Sequence, residues 1–455
     1  MGLLDEIRSI VGAGGLLEAE EVRARPNLSW GLGSCPALAI VRPKTTVALS
    51  QVMRLCHRCK QPMVPWGGQS GLVNGITSGP QDIVISLERM CNVEKLDGKS
   101  GVMIAQAGAL VQQVQEAAAK EGWMFAVDFG ARGSAQIGGA ISTNAGGNSV
   151  VRYGMMREQI LGLEAVLADG TVISSMNEML KNNAGYDLKQ LFIGSEGTLG
   201  IVTRAVLRLR PAPSTVQSAF LGLKGFDELT HCLQRVLAEL EGKLSAFEVM
   251  WQSHYRLLQN ESDRHRELLP KDYAFYVLLE QEGADSVRCK EQFVEVLGRL
   301  IEDRVVADAL LVDSDAQRNE LWALRDDIEA LVRVLDPAMI FDVSMPIRHM
   351  EQYVDRVEYR LEREVPEARN ATFGHLGDGN IHLAIGPCGN RKAIETIVYD
   401  ELIPVQGSIS AEHGIGLDKR DYLPRSKTPA ELALMKTIKC ALDPEGLLNP
   451  GKVFS

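Results

Sequence analysis

The sequence predicts an α+β protein in two main parts. In the first, glycine loops join short strands and helices; the second combines an antiparallel sheet with charged amphipathic helices. Three observations carry this prediction. The 43 glycines concentrate in three clusters, at 67–79, 130–147 and 194–200, and glycine is costly inside helices and strands unless the backbone must approach something closely. After Pro211-Ala212-Pro213 glycine thins out and amphipathic helical periodicity takes over. On both sides of that point, short apolar runs of strand length alternate with helical patterns.

The elements follow in order. Residues 1–15 form a short amphipathic helix ended by glycine. A helix over 44–61 follows Pro43, with Thr45 or Thr46 as its cap and Val47, Leu49, Val52, Met53 and Cys56 on its apolar face. MVPW (63–66), DIVISL (82–87) and VMIAQAG (102–108) are strands, and 110–122 is a helix stopped by Gly122. EAVLADGTVI (164–173) is a hairpin about Asp169-Gly170, and 199–211 is a long strand stopped by Pro211. Beyond it, helices are expected at 225–241, 285–303, 315–335, 348–364 and 429–442, with strands at 273–281 and 339–345.

The 455 residues, 45% hydrophobic and 24% charged, suit two or three soluble globular domains. A net charge of −11 argues against nucleic acid as the main partner, since neutralising phosphates needs a basic surface. No apolar run reaches the about 18 residues of a transmembrane helix. Asp5 and Glu6 stand where a secretory signal carries Lys or Arg, so a cytoplasmic location is expected. Among the eight cysteines only Cys56 and Cys59 form a C-x2-C pair, which without a second pair reads as helix thiols rather than a zinc ribbon.

The first glycine loop, PWGGQSGLVNG (65–75), can turn successive N–H groups inward as an anion nest, with the Ser70 hydroxyl in support. It is neither a Walker loop nor a Rossmann fingerprint. Alone, it is equally an ordinary glycine-rich turn. Together with GARGSAQIGGAISTNAGG (130–147) and GSEGTLGIV (194–202), it suggests one extended ligand, such as a dinucleotide, threaded past bare backbone.

These loops, with NAGGNSVVRYGMMREQILGLEAVLADGT and GYDLKQLFIGSEGTLGIVT, resemble the FAD domain of the vanillyl-alcohol oxidase (PCMH) type, and residues 36–455 resemble the FAD-linked oxidase C family. The resemblance implies an FAD-binding domain over 1–211, a substrate or cap domain over 212–407, and a segment over 408–455 that returns to the FAD domain. It implies that Pro65, Gly67, Gly68, Gln69, Ser70, Gly71 and Leu72 lie along the pyrophosphate. Gly133, Ser134, Gly138, Gly139, Thr143, Asn144, Gly147 and Tyr153 would line the ribityl chain and isoalloxazine. Glu196, Gly197, Gly200 and Val202 would serve the adenine side, with Asn449 returning from the tail. Some members attach FAD through a histidine in the first loop. Gln69 occupies that position here, so a non-covalent flavin is expected.

Of the eight histidines, His57, His231, His254 and His265 fall in helical or polar stretches and are expected at the surface. FGHLGDGNIHL (373–383) is different. A two-residue turn at Asp378-Gly379 would set His375 opposite His382, with Cβ atoms about 4.5–5.5 Å apart. Two such imidazoles can share a divalent ion, or can simply be two histidines in a polar hairpin. SAEHGIG (410–416) adds Glu412, a hard oxygen ligand, and His413. Two histidines and a carboxylate suit zinc first, with manganese or iron also fitting. The resemblance assigns His375, His382 and Glu412 as metal ligands and His413 as general base. It implies a dehydrogenase that oxidises a D-2-hydroxy acid to the 2-oxo acid by hydride transfer to flavin N5.

In members that take 2-hydroxyglutarate, an arginine matching Arg325 binds the distal carboxylate with a threonine and a lysine, and an asparagine stands two residues after the second metal histidine. Here those three positions hold Glu329, Ile340 and Ala384, and Arg325 could pair with Glu329 one helical turn away. The acceptor would be electron-transfer flavoprotein, a quinone or oxygen, since no NAD fingerprint is present. A homodimer is expected, and the alternative functions are a flavin subunit of a glycolate-oxidase-type complex and a metal hydrolase without redox chemistry.

Overall fold

The computed structural model describes residues 2–262 and 264–454. The chain forms two compact units. The first gathers the chain up to Gly147, Gly154–Ala212 and everything from Glu412 onward; the second gathers Asn148–Tyr153 and Pro213–Ala411.

In the first unit, α1 (Leu3–Val11) ends at Gly12, whose φ of +72° suits glycine. Helix α2 (Thr46–Arg58) starts where Thr45 accepts the Ala48 N–H at 3.1 Å, and it buries Leu49, Val52, Met53, Leu55 and Cys56. Burial pushes the Cys56 thiol up to about 12, so the C-x2-C pair holds no reactive thiolate at that position. Strands β1 (Leu16–Leu17), β2 (Ala39–Val41), β3 (Met63–Trp66) and β4 (Ile83–Ser86) make a sheet in the order β1-β2-β4-β3. Strand β4 is flanked by parallel neighbours, so all four of its residues are buried.

A second run, β5 (Val93–Asp97), β6 (Val102–Gln106), β7 (Trp123–Met124), β8 (Ile160–Val166), β9 (Val172–Ser175), β10 (Ile201–Arg208) and β11 (Arg210–Pro211), gives an antiparallel sheet ordered β5-β6-β10-β8-β9 and a short β7-β11 ribbon. The stretch 199–211, expected as one strand, thus divides near Leu209 between two sheets. Helix α3 (Val111–Ala119) and helix α4 (Ile137–Thr143) complete the part of this unit that carries the second glycine loop.

The second unit is built on one antiparallel sheet of seven strands, β12 (Thr215–Leu223), β13 (Leu244–Trp251), β14 (Phe275–Gly283), β15 (Asp308–Leu311), β16 (Met339–Ser344), β17 (Arg369–His375) and β18 (Asn380–Gly386), in the order β15-β12-β14-β13-β17-β18-β16. Every residue of β13 and of β18 is buried, because helices cover both faces. One face packs Phe220, Met250, Tyr276, Phe373 and Ala384 against α5 (Gln252–Glu261), α6 (Asp315–Arg325) and α7 (Ile328–Val334).

Two expectations are corrected here. The helix expected over 315–335 breaks at Asp326-Asp327, because Asp327 turns its carboxylate onto the Ala330 N–H at 3.0 Å and starts a new helix. His254 is not at the surface. It lies on the inner face of α5, fully buried, with its ring 4.8 Å from that of Phe373.

Candidate active site

The three glycine loops meet within the first unit. A Cβ on Gly68 would stand 1.8 Å from the Ser134 carbonyl oxygen, and one on Gly67 would stand 3.3 Å from the Gly139 Cα. A Cβ on Gly197 would stand 2.6 Å from Pro65 Cγ, so the third loop presses on the strand that launches the first. A side chain at position 68 would collide with backbone, and one at 67 or 197 would crowd its neighbour. Gly133 and Ser134 precede α4, Gly138, Gly139 and Thr143 lie on it, and Asn144 ends it in the left-handed region at φ +52°. Asn144 Oδ1 accepts the Arg157 N–H at 2.9 Å. Gly147 takes φ +135°, where a Cβ would meet the Asp128 carbonyl at 1.9 Å. Gly200 leads into β10, which holds Val202.

Two polar atoms on this cradle are buried without a hydrogen-bond partner among the described residues: Gln69 Nε2, on a residue at φ +56°, and Asn449 Oδ1. A dinucleotide offers the acceptors and donors such orphans need, so the loops fit FAD. Glu196 is tied differently from the other loop residues. Its carboxylate accepts the Ile415 and Gly416 N–H groups at 2.7 Å each, and its carbonyl accepts from Asn449 Nδ2 at 2.7 Å. Burial pushes the Glu196 carboxyl up, against those two hydrogen bonds. Tyr153 belongs to the second unit, where its hydroxyl donates to Glu282 Oε2 at 2.8 Å.

In the second unit, the sheet register builds two polar rows. Leu278, Glu248, His375, Asn380 and Ser344 are successive cross-strand partners, and so are Tyr276, Met250, Phe373, His382 and Asp342. Cross-strand partners project to one face, so both histidines share a face with Glu248 and Asp342. The expected hairpin register is corrected: His375 faces Asn380, and His382 faces Phe373. A 3-10 turn, Leu376–Asp378, and Gly379 at φ +86° replace the two-residue turn, and Asp378 Oδ1 accepts the Asn380 N–H at 3.1 Å. The slip changes the residue sum by two, which preserves the face. The two imidazoles remain diagonal neighbours, with ring centroids 5.4 Å apart.

Glu248 and Asp342 are the site residues that sequence reasoning missed. The available signal was a lone acid in an apolar strand, in SAFEVMW and in MIFDVS. Glu248 Oε1 lies 2.8 Å from His375 Nδ1, and Glu248 Oε2 accepts from Arg325 Nε at 2.8 Å and Nη2 at 2.7 Å. Burial pushes the Glu248 carboxyl up, but the positive potential of His375 and Arg325 prevails and holds it below the usual carboxylate range. A carboxylate behind Nδ1 favours the tautomer that leaves Nε2 as the acceptor, the form a metal-binding histidine uses. Asp342 Oδ2 accepts from the Ser410 hydroxyl at 3.3 Å and the Ala411 N–H at 3.2 Å. Glu412 and His413 are the next residues in the chain after Ala411. Two imidazoles on neighbouring strands, one of them backed by a carboxylate, are a donor set that fits a divalent transition metal.

The expected Arg325–Glu329 pair is also corrected. Arg325, at the end of α6, is only 5% exposed and points inward. Its Nη1 donates to Asp326 Oδ1 at 3.1 Å, and its Nη2 lies 3.3 Å from His375 Nε2. The break between α6 and α7 carries Glu329 outward, where it accepts from Arg264 at 3.0 and 3.1 Å. Ile340 and Ala384 are cross-strand partners beside the apolar core.

Comparison with known proteins places the chain. The family described as "FAD binding domain" matches residues 37–175, and "FAD linked oxidases, C-terminal domain" matches residues 212–453. The mitochondrial D-2-hydroxyglutarate dehydrogenase of Bos taurus is 38% identical over 437 residues, covering 94% of this chain and 79% of the relative. A putative mitochondrial D-lactate dehydrogenase of Schizosaccharomyces pombe is 35% identical, covering 90% of this chain and 81% of its own length. The D-2-hydroxyglutarate dehydrogenase of Stutzerimonas stutzeri is 33% identical over 100% of this chain and 99% of its own. Among solved structures, p-cresol methylhydroxylase with substrate bound superposes with a TM-score of 0.75 at 13% identity, over 99% of this chain and 96% of that one. Alkyldihydroxyacetonephosphate synthase gives a TM-score of 0.76 at 16% identity, over 98% and 84%. These two show the p-cresol methylhydroxylase-type fold. A glycine cradle fitted to a dinucleotide, the fold and these matches agree: the chain belongs to the FAD-linked oxidases.

Proposed function

We propose that this protein is an FAD-dependent, metal-assisted dehydrogenase that oxidises a D-2-hydroxy acid to the 2-oxo acid. The observation that carries the metal and substrate reading is the Glu248–His375 pair at 2.8 Å on the same sheet face as His382. FAD, when bound, supplies the two-electron acceptor, and non-covalent attachment is supported by glutamine at position 69. A divalent metal, zinc first and manganese or iron next, would supply the electrostatic pull that acidifies the substrate hydroxyl.

The chain's own residues do the rest. His375, His382 and Glu412 would hold the metal, Glu248 orienting the first of them. His413 would take the hydroxyl proton on an imidazole nitrogen, the group best suited to proton exchange near neutrality. Glu412 and His413 follow Ala411, whose N–H is fixed on Asp342, the cross-strand partner of His382; this connectivity supports their assignment. Arg325 Nη2, beside His375 Nε2, supports Arg325 as the cation that meets the substrate carboxylate. The Ile340–Ala384 pair is apolar, which supports a substrate whose tail carries no second charge, such as D-lactate.

Among the described residues no helix is long and apolar enough to cross a membrane. Beyond this, the cytosol as location, electron-transfer flavoprotein or a quinone as acceptor, and a homodimer complete the proposal.

The test is anaerobic reduction of the bound flavin by D- and L-lactate, malate, 2-hydroxyglutarate and glycolate, with and without chelator. Bleaching by a D-isomer that chelator abolishes is expected. Bleaching that survives complete metal removal would overturn the metal's role, and no bleaching by any hydroxy acid would overturn the substrate class.

A further inference from the structure

We infer that Asn380 is a substrate-binding residue whose side-chain amide takes the carboxylate end of the 2-hydroxy acid; this rests on the function proposed above. Asn380 opens β18, between His375 on β17 and Ser344 on β16 in the register. Its Cβ therefore leaves the sheet on the face of both histidines, about 4.5–5.5 Å from the His375 Cβ. Its backbone is pinned, because its N–H donates to Asp378 Oδ1 at 3.1 Å.

The side chain is 3% exposed, yet neither Oδ1 nor Nδ2 has a hydrogen-bond partner among the described residues. Native proteins rarely leave even one such atom unsatisfied, and here one side chain carries two. An apolar residue of the same size would serve folding better, so the amide serves a group that the folded chain alone does not supply. The polar side chains around it are engaged with one another: Glu248 with His375 and Arg325, Asp342 with Ser410 and Ala411. The missing group must accept from Nδ2, donate to Oδ1 and sit beside the His375 imidazole. A 2-hydroxy acid does all three, since its carboxylate accepts and its hydroxyl donates in the bound ground state, before His413 takes that proton. An amide also makes these bonds without adding charge beside the buried Glu248–Arg325 pair.

The experiment compares the wild-type holoenzyme with Asn380→Ala and Asn380→Asp. The dissociation constant of oxalate, which has no carbon-bound hydrogen to lose, is read from the flavin absorbance. KM and kcat are read for the D-2-hydroxy acid that reduces wild type fastest, and FAD and metal contents are measured alongside. A hydrogen bond to a charged ligand predicts a rise of about ten- to hundredfold in both the oxalate constant and KM for Asn380→Ala, with kcat, FAD and metal largely retained. Asn380→Asp should bind oxalate more weakly still, through like-charge repulsion. Oxalate binding within twofold of wild type, or a fall in kcat at unchanged KM, overturns the assignment and leaves the amide to a buried water. If Asn380→Ala does not fold, the isosteric Asn380→Asp decides on the same criterion. A wild type that no hydroxy acid reduces would refute the proposed function while leaving the oxalate comparison valid.

Discussion

Removing the Glu248 carboxylate should destabilise the second unit and loosen the metal at the same time. The carboxylate is completely buried and is held at 2.7–2.8 Å by Arg325 and by His375. Glu248→Ala leaves a buried guanidinium facing an imidazole with only Asp326 as counter-charge, and breaking a buried pair from one side costs about 3–5 kcal/mol. For a unit of this size that is a fall of roughly 6–20 °C in the melting temperature. Replacing both partners, Glu248→Gln with Arg325→Met, should recover much of the loss, because neither charge is then stranded. In each variant that folds, His375 loses the carboxylate that fixes its ring, and metal affinity should fall by about 10–100-fold. The assays are calorimetry of the apoprotein and competition with a chromogenic chelator. A Glu248→Ala variant that melts within about 2 °C of wild type would refute the buried-pair reasoning. Unchanged metal affinity in a folded variant would refute the orienting role.

The remaining predictions test other parts of the molecule. His254 has no hydrogen-bond partner at either ring nitrogen among the described residues, and burial first, then the nearby Arg325 charge, pushes its pKa down from 6.5 to about 3. The unfolded chain therefore binds the extra proton first, and up to ~4–5 kcal/mol of stability, fully present above pH 6.5, is lost as pH falls from 6.5 towards 3. His254→Leu should melt at or above wild type at pH 7 and lose that part of the acid sensitivity; identical pH profiles for the two proteins would count against it. His413→Ala should keep FAD and metal but lose most turnover, and near-normal rates would remove the base assignment. Acid precipitation should release free FAD, whereas flavin that stays on the pellet would contradict non-covalent attachment. Glu196→Ala frees the Ile415 and Gly416 N–H groups, so hydrogen exchange over 412–417 should quicken and activity should fall; unchanged exchange would show that the carboxylate is not holding that loop.

Much of the first unit was legible because its signals are local. Thr45 caps its helix, Asp169-Gly170 turns its hairpin, and the glycine clusters mark where backbones touch. The second unit was less so. Strands β12 and β13 were not expected, since buried strands of an antiparallel sheet covered on both faces lose the alternation that identifies them. The helix break at Asp326-Asp327 turns on a competition between propagation and side-chain capping that propensity does not decide. The His375–His382 hairpin was found, but its register was misjudged because Asp378-Gly379 also suits the second half of a longer turn. Glu248 stood out only as a lone acid in an apolar run; its role was not legible because its partner lies 127 positions away, joined only by strand pairing.

The hexapeptide Asn148–Tyr153 has a consequence for anyone dissecting the chain. It is encoded amid the first unit yet folds with the second, where Arg152 donates to the Glu282 carboxylate at 3.1 Å and carbonyl at 3.0 Å, and Tyr153 shares that carboxylate. No single cut in the gene separates the two halves cleanly. A recombinant fragment begun at Pro213 would strip Glu282 of both donors, and a chimaera that exchanges substrate halves between relatives must carry these six codons along with the rest.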